Sequence, residues 1–304
     1  MSVPGELSTY PVPPGAVPTL FQKKYPYFTT GDTSSSKAVV FIGGLFNGLL
    51  DPGYVGVLGE RLKEVGWKLV LMHWSGAYEG FMSGSLDRDV NEMNALVEHL
   101  VAQGTSTIVL MGHSTGSQDV AHYLSTRSHP RVLGGIMQAP VSDREYFAWD
   151  PSATGELWRS KLPVAEGLVK AGKGDEALDD DFCRNVGGRM TAYRFFSLLG
   201  VGGDDDYFSH DIPNQPDGVH KHPLSLSFGK FSAPALALFS EKDEYVPPTF
   251  TYPGDLGERW VEACPTGLEW RVIPGAGHTV EKAEEMEVLA KEVVGWLKRT
   301  IERQ

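Results

Sequence analysis

Cysteine is scarce in this sequence: Cys183 and Cys264 are the two in 304 residues. They lie far apart and match no metal-binding or redox spacing, so they read as reduced thiols of an intracellular protein, not as a disulfide framework. A chain of this length buries a core without such staples. Positive charge is short as well. Against 39 acidic side chains stand 27 basic ones, for a net charge of −12, and no basic stripe stands out. That sign repels phosphate backbones and anionic bilayers, so neither nucleic acid nor a membrane is expected as a partner. No segment approaches the apolar length of a membrane span. Met1 to Leu20 lacks the basic start and apolar run of a secretory leader, and Ile301-Glu302-Arg303-Gln304 carries no retention or lipidation signal. The expectation is a cytoplasmic protein.

What is present has the balance of a globular enzyme, with 41% hydrophobic and 22% charged residues. Pro4, Pro11, Pro13, Pro14 and Pro18 make the first twenty residues an extended arm in this reading, since proline fixes φ and removes a donor. Short apolar runs at 37–42, 68–73, 107–111, 132–137, 235–239 and 268–273 predict buried strands. Helical spacing at 54–65, after Ser85 through Leu100, at 117–126, 255–262 and 280–301 predicts the helices between them. The alternation predicts an α/β fold, a mostly parallel doubly wound sheet covered on both faces. One stretch, 143–231, breaks the rhythm. It reads as a mostly helical lid inserted over the C-terminal strand ends, where open α/β sheets bind ligands, with 1–142 and 232–304 forming the core.

Gly112-His113-Ser114-Thr115-Gly116 follows the strand at 107–111 and precedes a helix. Gly-x-Ser-x-Gly in that context marks a nucleophile turn: the serine sits in strained geometry, and small residues two positions away avoid a clash. Ser114 is the candidate nucleophile. The following N–H, that of Thr115, opens a helix, where the backbone dipole favours a developing oxyanion. A second donor is expected from Gly43-Gly44-Leu45-Phe46-Asn47-Gly48, at the Leu45 N–H or alternatively that of Phe46. Gly44, Phe46 and Asn47 of this loop are candidate substrate contacts. Trp74 and Tyr78, following a strand at the same edge of the sheet, are two more.

The base should lie between the last strand and the last helix, where Pro274-Gly275-Ala276-Gly277-His278 stands, and His278 is the candidate. The acid that orients it is expected in Glu241-Lys242-Asp243-Glu244-Tyr245-Val246-Pro247, with Asp243 chosen over Glu241 and Glu244. Asp143, one strand earlier, is a further rival. The order Ser114, Asp243, His278 is that of the α/β-hydrolase fold. No metal or cofactor is called for, because oxyanion donors supply the electrostatics. His220-Lys221-His222 has no partner cluster and reads as a solvated loop, and Asp204-Asp205-Asp206 reads as a turn or as the wall of a pocket for a cationic substrate.

These residues carry a family resemblance. Gly43-Gly44-Leu45, Asn47-Gly48-Leu49-Leu50, Ser75 to Tyr78, Gly84-Ser85-Leu86, Met111 to Gly116, Gln138 to Arg144 and Gly202 to Ser209 resemble an under-characterised, mainly fungal family of α/β-hydrolases. The likeness spans most of the chain and departs from it at Phe46-Asn47, where relatives often carry a polar residue and Asp. It implies an intracellular serine esterase acting on a small-molecule ester, and one branch is associated with ester-linked hydroxamate siderophores. An amidase or thioesterase with the same triad, and a non-catalytic receptor on this scaffold, are the alternatives.

Overall fold

The structure, a computed structural model, describes residues 17–21 and 25–303. Pro4, Pro11, Pro13 and Pro14 of the expected extended arm lie outside the described residues. Eight strands form one sheet: β1 (Val17–Phe21), β2 (Tyr25–Gly31), β3 (Lys37–Ile42), β4 (Lys68–Met72), β5 (Thr107–His113), β6 (Val132–Gln138), β7 (Ala235–Ser240) and β8 (Leu268–Ile273). Their order is β1-β2-β4-β3-β5-β6-β7-β8. The β1–β2 and β2–β4 pairings are antiparallel, and the rest are parallel.

Side chains on a strand alternate between its faces, so an apolar run feeds two cores at once. Val39 and Phe41 of β3, Val109 and Met111 of β5 and Leu236 and Leu238 of β7 point into one layer, beneath α1 (Val55–Glu64) and the C-terminal helix α9 (Ala283–Trp296). Ala38, Val40, Ile42, Leu110, Ala237 and Phe239 point into the other. There they meet α2 (Leu86–Ala102), α3 (Thr115–Thr126) and α8 (Leu256–Ala263). Ser85 begins α2 as expected, its side chain accepting the Arg88 N–H. Beyond Trp296 the chain continues as a π-helical turn, Leu297–Ile301, where the sequence pattern reads as one continuous helix.

The antiparallel edge, β1 and β2, was not expected. β2 buries Tyr27 and Thr30 three residues apart, so it shows no period-two pattern, and Pro18 reads as part of the extended arm. Proline is tolerated in β1, the edge strand, whose outer side needs no ladder partner, and Pro26 stands next to the start of β2.

Between β6 and β7 come α4 (Asp143–Trp149), α5 (Ala153–Lys170), α6 (Asp180–Val186) and α7 (Ala192–Leu199). Each starts on a side chain that accepts a first-turn N–H: Ser142, Ser152, Asp179 and Thr191. Their buried faces make a third apolar cluster, with Trp158, Phe182, Phe195 and Leu198 packed on Phe81 and Met82. The rest of the insertion behaves differently. Tyr207, Phe208, Ile212, Leu224, Phe228 and Phe231 join the layer beneath α2, α3 and α8.

Trp296 is fully buried on α9, with its ring edge against Gly134 of β6. Trp296→Ala is expected to cost about 3–5 kcal/mol, because the backbone around such a void relaxes only in part. Equilibrium denaturant unfolding measures this, and a loss below about 1 kcal/mol would contradict the packing described.

Candidate active site

Ser114 stands between β5 and α3 with φ 54° and ψ −123°, a conformation a non-glycine residue adopts only when its surroundings impose it. The surroundings do. A Cβ on Gly112 would lie 1.9 Å from the Gly116 carbonyl oxygen, and one on Gly116 would lie 2.5 Å from that of Ile42. Glycine at both positions lets β5, α3 and the β3 loop converge. The Ser114 N–H donates to the Gln138 carbonyl at 2.9 Å, and the Ser114 carbonyl accepts from Ser117 N at 2.7 Å. The side chain is left half-exposed at the head of α3.

Thr115 is the first residue of α3, so its N–H has no carbonyl one turn behind it. Across from it runs the β3 loop, in which Gly44 packs against Ser114 closely enough that a Cβ there would sit 2.7 Å from the serine Cβ. Asn47 braces this loop. Its Oδ1 accepts the Gly44 N–H at 2.7 Å and its Nδ2 donates to Asp51 Oδ2 at 2.7 Å. Leu45 follows Gly44 and lines the cavity described below. Phe46, at φ 62°, is 48% exposed, with its ring edge-on to Phe81.

His278 and Asp243 are both buried, and the imidazole Nδ1 donates to Asp243 Oδ2 at 2.9 Å and Oδ1 at 3.0 Å. The two other acids of that loop hold backbone instead. Glu244 accepts the His278 N–H at 2.9 Å, and Glu241 accepts the Gly275 N–H at 2.6 Å. Asp143 does not meet the imidazole nitrogens; its Oδ2 accepts from Gln118 Nε2 at 3.0 Å.

Beneath the site lies a polar residue to which the sequence reading gave no site role. Gln138, the last residue of β6, is fully buried. Its Oε1 accepts from His113 Nδ1 at 2.5 Å and from Tyr54 OH at 2.9 Å, and its Nε2 donates to the His278 carbonyl at 3.3 Å. A glutamine closing an apolar strand just before Ala139-Pro140 was the available signal. Burial, and then the nearby His278, push the His113 imidazole down to about 3. His113 therefore stays neutral 4.9 Å from the His278 ring and places no like charge beside it.

Ser114, His278, His113, Leu45, Phe46, Asn47 and Asp143 share one cavity of about 230 Å3 with Tyr146, Phe147, Trp158 and Tyr245. Trp74 and Tyr78 are not among its lining. Trp74 is in the core, 4% exposed, and Tyr78 packs outside the β3 loop against Gly48. The acidic run is absorbed in pairs: Asp204 with Tyr193 and Lys221, Asp205 with Arg194 and Ser197, and Asp206 with Arg144 and Ser209. His222 stacks on Tyr207 and His220 bonds Asp217, so these two histidines are held apart in separate contacts.

A strained serine at a strand-to-helix turn and an imidazole–carboxylate pair at later strand ends, on a doubly wound sheet, mark the α/β-hydrolase fold. The siderophore hydrolase EstB from Aspergillus fumigatus is similar at TM-score 0.77 and 27% identity, over 95% of this chain and 99% of that one. The chain belongs to the family described as protein of unknown function DUF1749, whose model matches residues 3–298. UPF0613 protein PB24D3.06c of Schizosaccharomyces pombe is 37% identical over 270 residues, 83% of each chain. Fusarinine C esterase sidJ of Aspergillus fumigatus is 29% identical over 326 residues, covering 89% of this chain and 91% of that one.

Gln138→Leu keeps the volume but strands the His113 N–H and the Tyr54 hydroxyl in the core. Each orphaned group is expected to cost roughly 1–3 kcal/mol, read as a fall in denaturation midpoint. An unchanged midpoint would mean the network carries no weight.

Proposed function

We propose that this chain hydrolyses carboxylic esters of a small-molecule substrate through an acyl-enzyme on Ser114. The observation that carries the reading is the pairing of Asp243 with His278, which lines the same cavity as the strained Ser114. In this mechanism the His278 Nε2 takes the Ser114 proton as the oxygen attacks the ester carbonyl, then returns it to the leaving alcohol. Asp243 fixes the tautomer with hydrogen on Nδ1 and stabilises the imidazolium. The tetrahedral oxyanion faces the N–H groups of Thr115 and Leu45, which need no reorganisation as charge develops. Water then repeats the sequence on the acyl-enzyme.

Helices α4 to α7 serve as a cap in this reading, since Tyr146, Phe147 and Trp158 from α4 and α5 form one wall of the cavity. We draw the cap at residues 143–199 and leave the following segment with the core, on which its aromatic side chains pack. Ester-linked hydroxamate siderophores are the proposed substrates, supported by the likeness to a fusarinine C esterase and a siderophore hydrolase. Cys183 and Cys264 are both free, which supports a reducing, cytoplasmic setting. Among the described residues no helix is long and apolar enough to cross a membrane.

Ser114→Ala should abolish both fluorophosphonate labelling and ester turnover, and Asp243→Asn should lower kcat roughly 10^3–10^4-fold through loss of the correct tautomer. Monomer release from fusarinine-type siderophores, followed by mass spectrometry, tests the substrate. Release no greater than that of the Ser114→Ala control would remove siderophores from the proposal, and undiminished labelling of that variant would remove Ser114.

A further inference from the structure

We propose that Asp143, which shares its cavity with the rings of Tyr146, Phe147 and Tyr245, forms the subsite for a primary ammonium group carried by the substrate or product. The inference rests on the reading of Ser114 as the reacting group, because both residues line one cavity.

The carboxyl of Asp143 is unusual among the acids of this region. Asp204, Asp205 and Asp206 each have a basic or hydroxyl partner, and the neighbouring Arg144 is taken by Asp206 and Asp211. Arg194 is engaged by Asp205. Among the described residues Asp143 has no ion pair, and its hydrogen bond comes from the neutral amide of Gln118. Asp143 is partly buried, and a carboxylate in a half-dried cavity with no ion-pair partner is stabilised by a cationic ligand group. The walls beside it are aromatic. Tyr146 meets Tyr245 edge to face at 4.8 Å, and Phe147 lies 5.1 Å from Tyr146. Ring faces attract an ammonium through their quadrupoles, and a desolvated setting strengthens the attraction. A carboxylate set among aromatic rings is the chemistry that selects an ammonium over a hydroxyl or a methyl.

Asp143 also carries a titration that the subsite would display. Burial, then the negative Asp205 behind it, raise its carboxyl to about 7, opposed by Arg194, Gln118 and His278. The phenol of Tyr245 faces the same carboxyl. An ammonium needs the ionised form, so selectivity should be full at pH 8 and fade as the pH falls below about 7.

The test uses the full chain and hexylammonium chloride as probe, with 1-hexanol as its neutral match. Calorimetric titration at pH 8 should show hexylammonium binding tighter by on the order of tenfold or more. In Asp143→Asn that ratio should fall to near one. Kinetics supply a second reading: the ratio of kcat/KM for 6-aminohexyl acetate over hexyl acetate, and for ethyl 6-aminohexanoate over ethyl hexanoate. At least one ratio should exceed about tenfold in the wild type, again on the strength of a charged hydrogen bond, and collapse in Asp143→Asn. Equal binding of hexylammonium and hexanol by the wild type would overturn the subsite. So would a variant that loses both members of each pair alike. Ammonium-selective binding without ester turnover would instead strike at the hydrolase reading and leave the subsite standing.

Discussion

Everything at the site depends on the close approach of three backbones at Ser114. The end of β5, the first turn of α3 and the loop after β3 meet where a side chain at 112 or 116 would overlap a carbonyl oxygen. The contact holds Ser114 at positive φ, sets the Thr115 N–H at the head of α3 and brings Leu45 alongside through Gly44. Local strain of this kind costs of order 1–3 kcal/mol and survives only where packing over-determines it. Here the determining forces are the two apolar layers, which fix β3 and β5 side by side from Lys37–Thr107 to Ile42–Gly112. The site geometry is thus a consequence of sheet register.

A second constraint is the handling of buried charge. Arg194 of α7 is buried and bonded to Asp205, and it faces Asp89 of α2 and Asp119 of α3. Arg88 bonds Asp89 Oδ1 at 3.1 Å, so three carboxyls meet two guanidinium groups, and away from water they cannot all ionise cheaply. Burial raises Asp119 and Asp89 accordingly, and each raises or relieves its neighbours. The cluster links the helices after β6 to the two helices beneath the sheet. Breaking a buried pair is far more costly than lacking one, so it fixes where α7 docks more than it adds stability.

How much of this the sequence carried depends on how local each signal was. The runs at 37–42 and 235–239 state their own burial, and the glycine spacing around Ser114 states the crowding, because both are contained in a few adjacent residues. His278 was chosen from its position and Asp243 from its place before Val246-Pro247, and the structure brings the two within hydrogen-bond distance. β1 and β2 were not legible, because this edge joins the sheet through β2 on β4, a partner some forty residues on, and β2 buries only two of its seven residues. Trp74 and Tyr78 fall outside the lining of the Ser114 cavity, where Gly43 and Gly76 pack against Trp74 and Gly48 against Tyr78, contacts that a local sequence pattern does not state. The Asp204–Asp206 run read as a turn or a charged wall because sequence does not reveal Arg144, Arg194 and Lys221 arriving from elsewhere.

The two acids that followed strands β6 and β7 were rivals for one role, and the structure gives each a different environment. An imidazole has one Nδ1, so one carboxylate can hold it. The loop after β8 is pinned by Glu241 on Gly275 N and Glu244 on His278 N, both from the loop after β7. Those two bonds bring His278 over Asp243, the acid between them, and away from Asp143. Asp143, opening α4, is left facing the cavity with a neutral partner and a carboxyl held near neutrality. A fold that offers two strand ends for an acid can use one to orient the base and leave the other to meet the ligand. In this chain the loop after β7 supplies both the acid that meets His278 and the two glutamates that hold the histidine loop beside it.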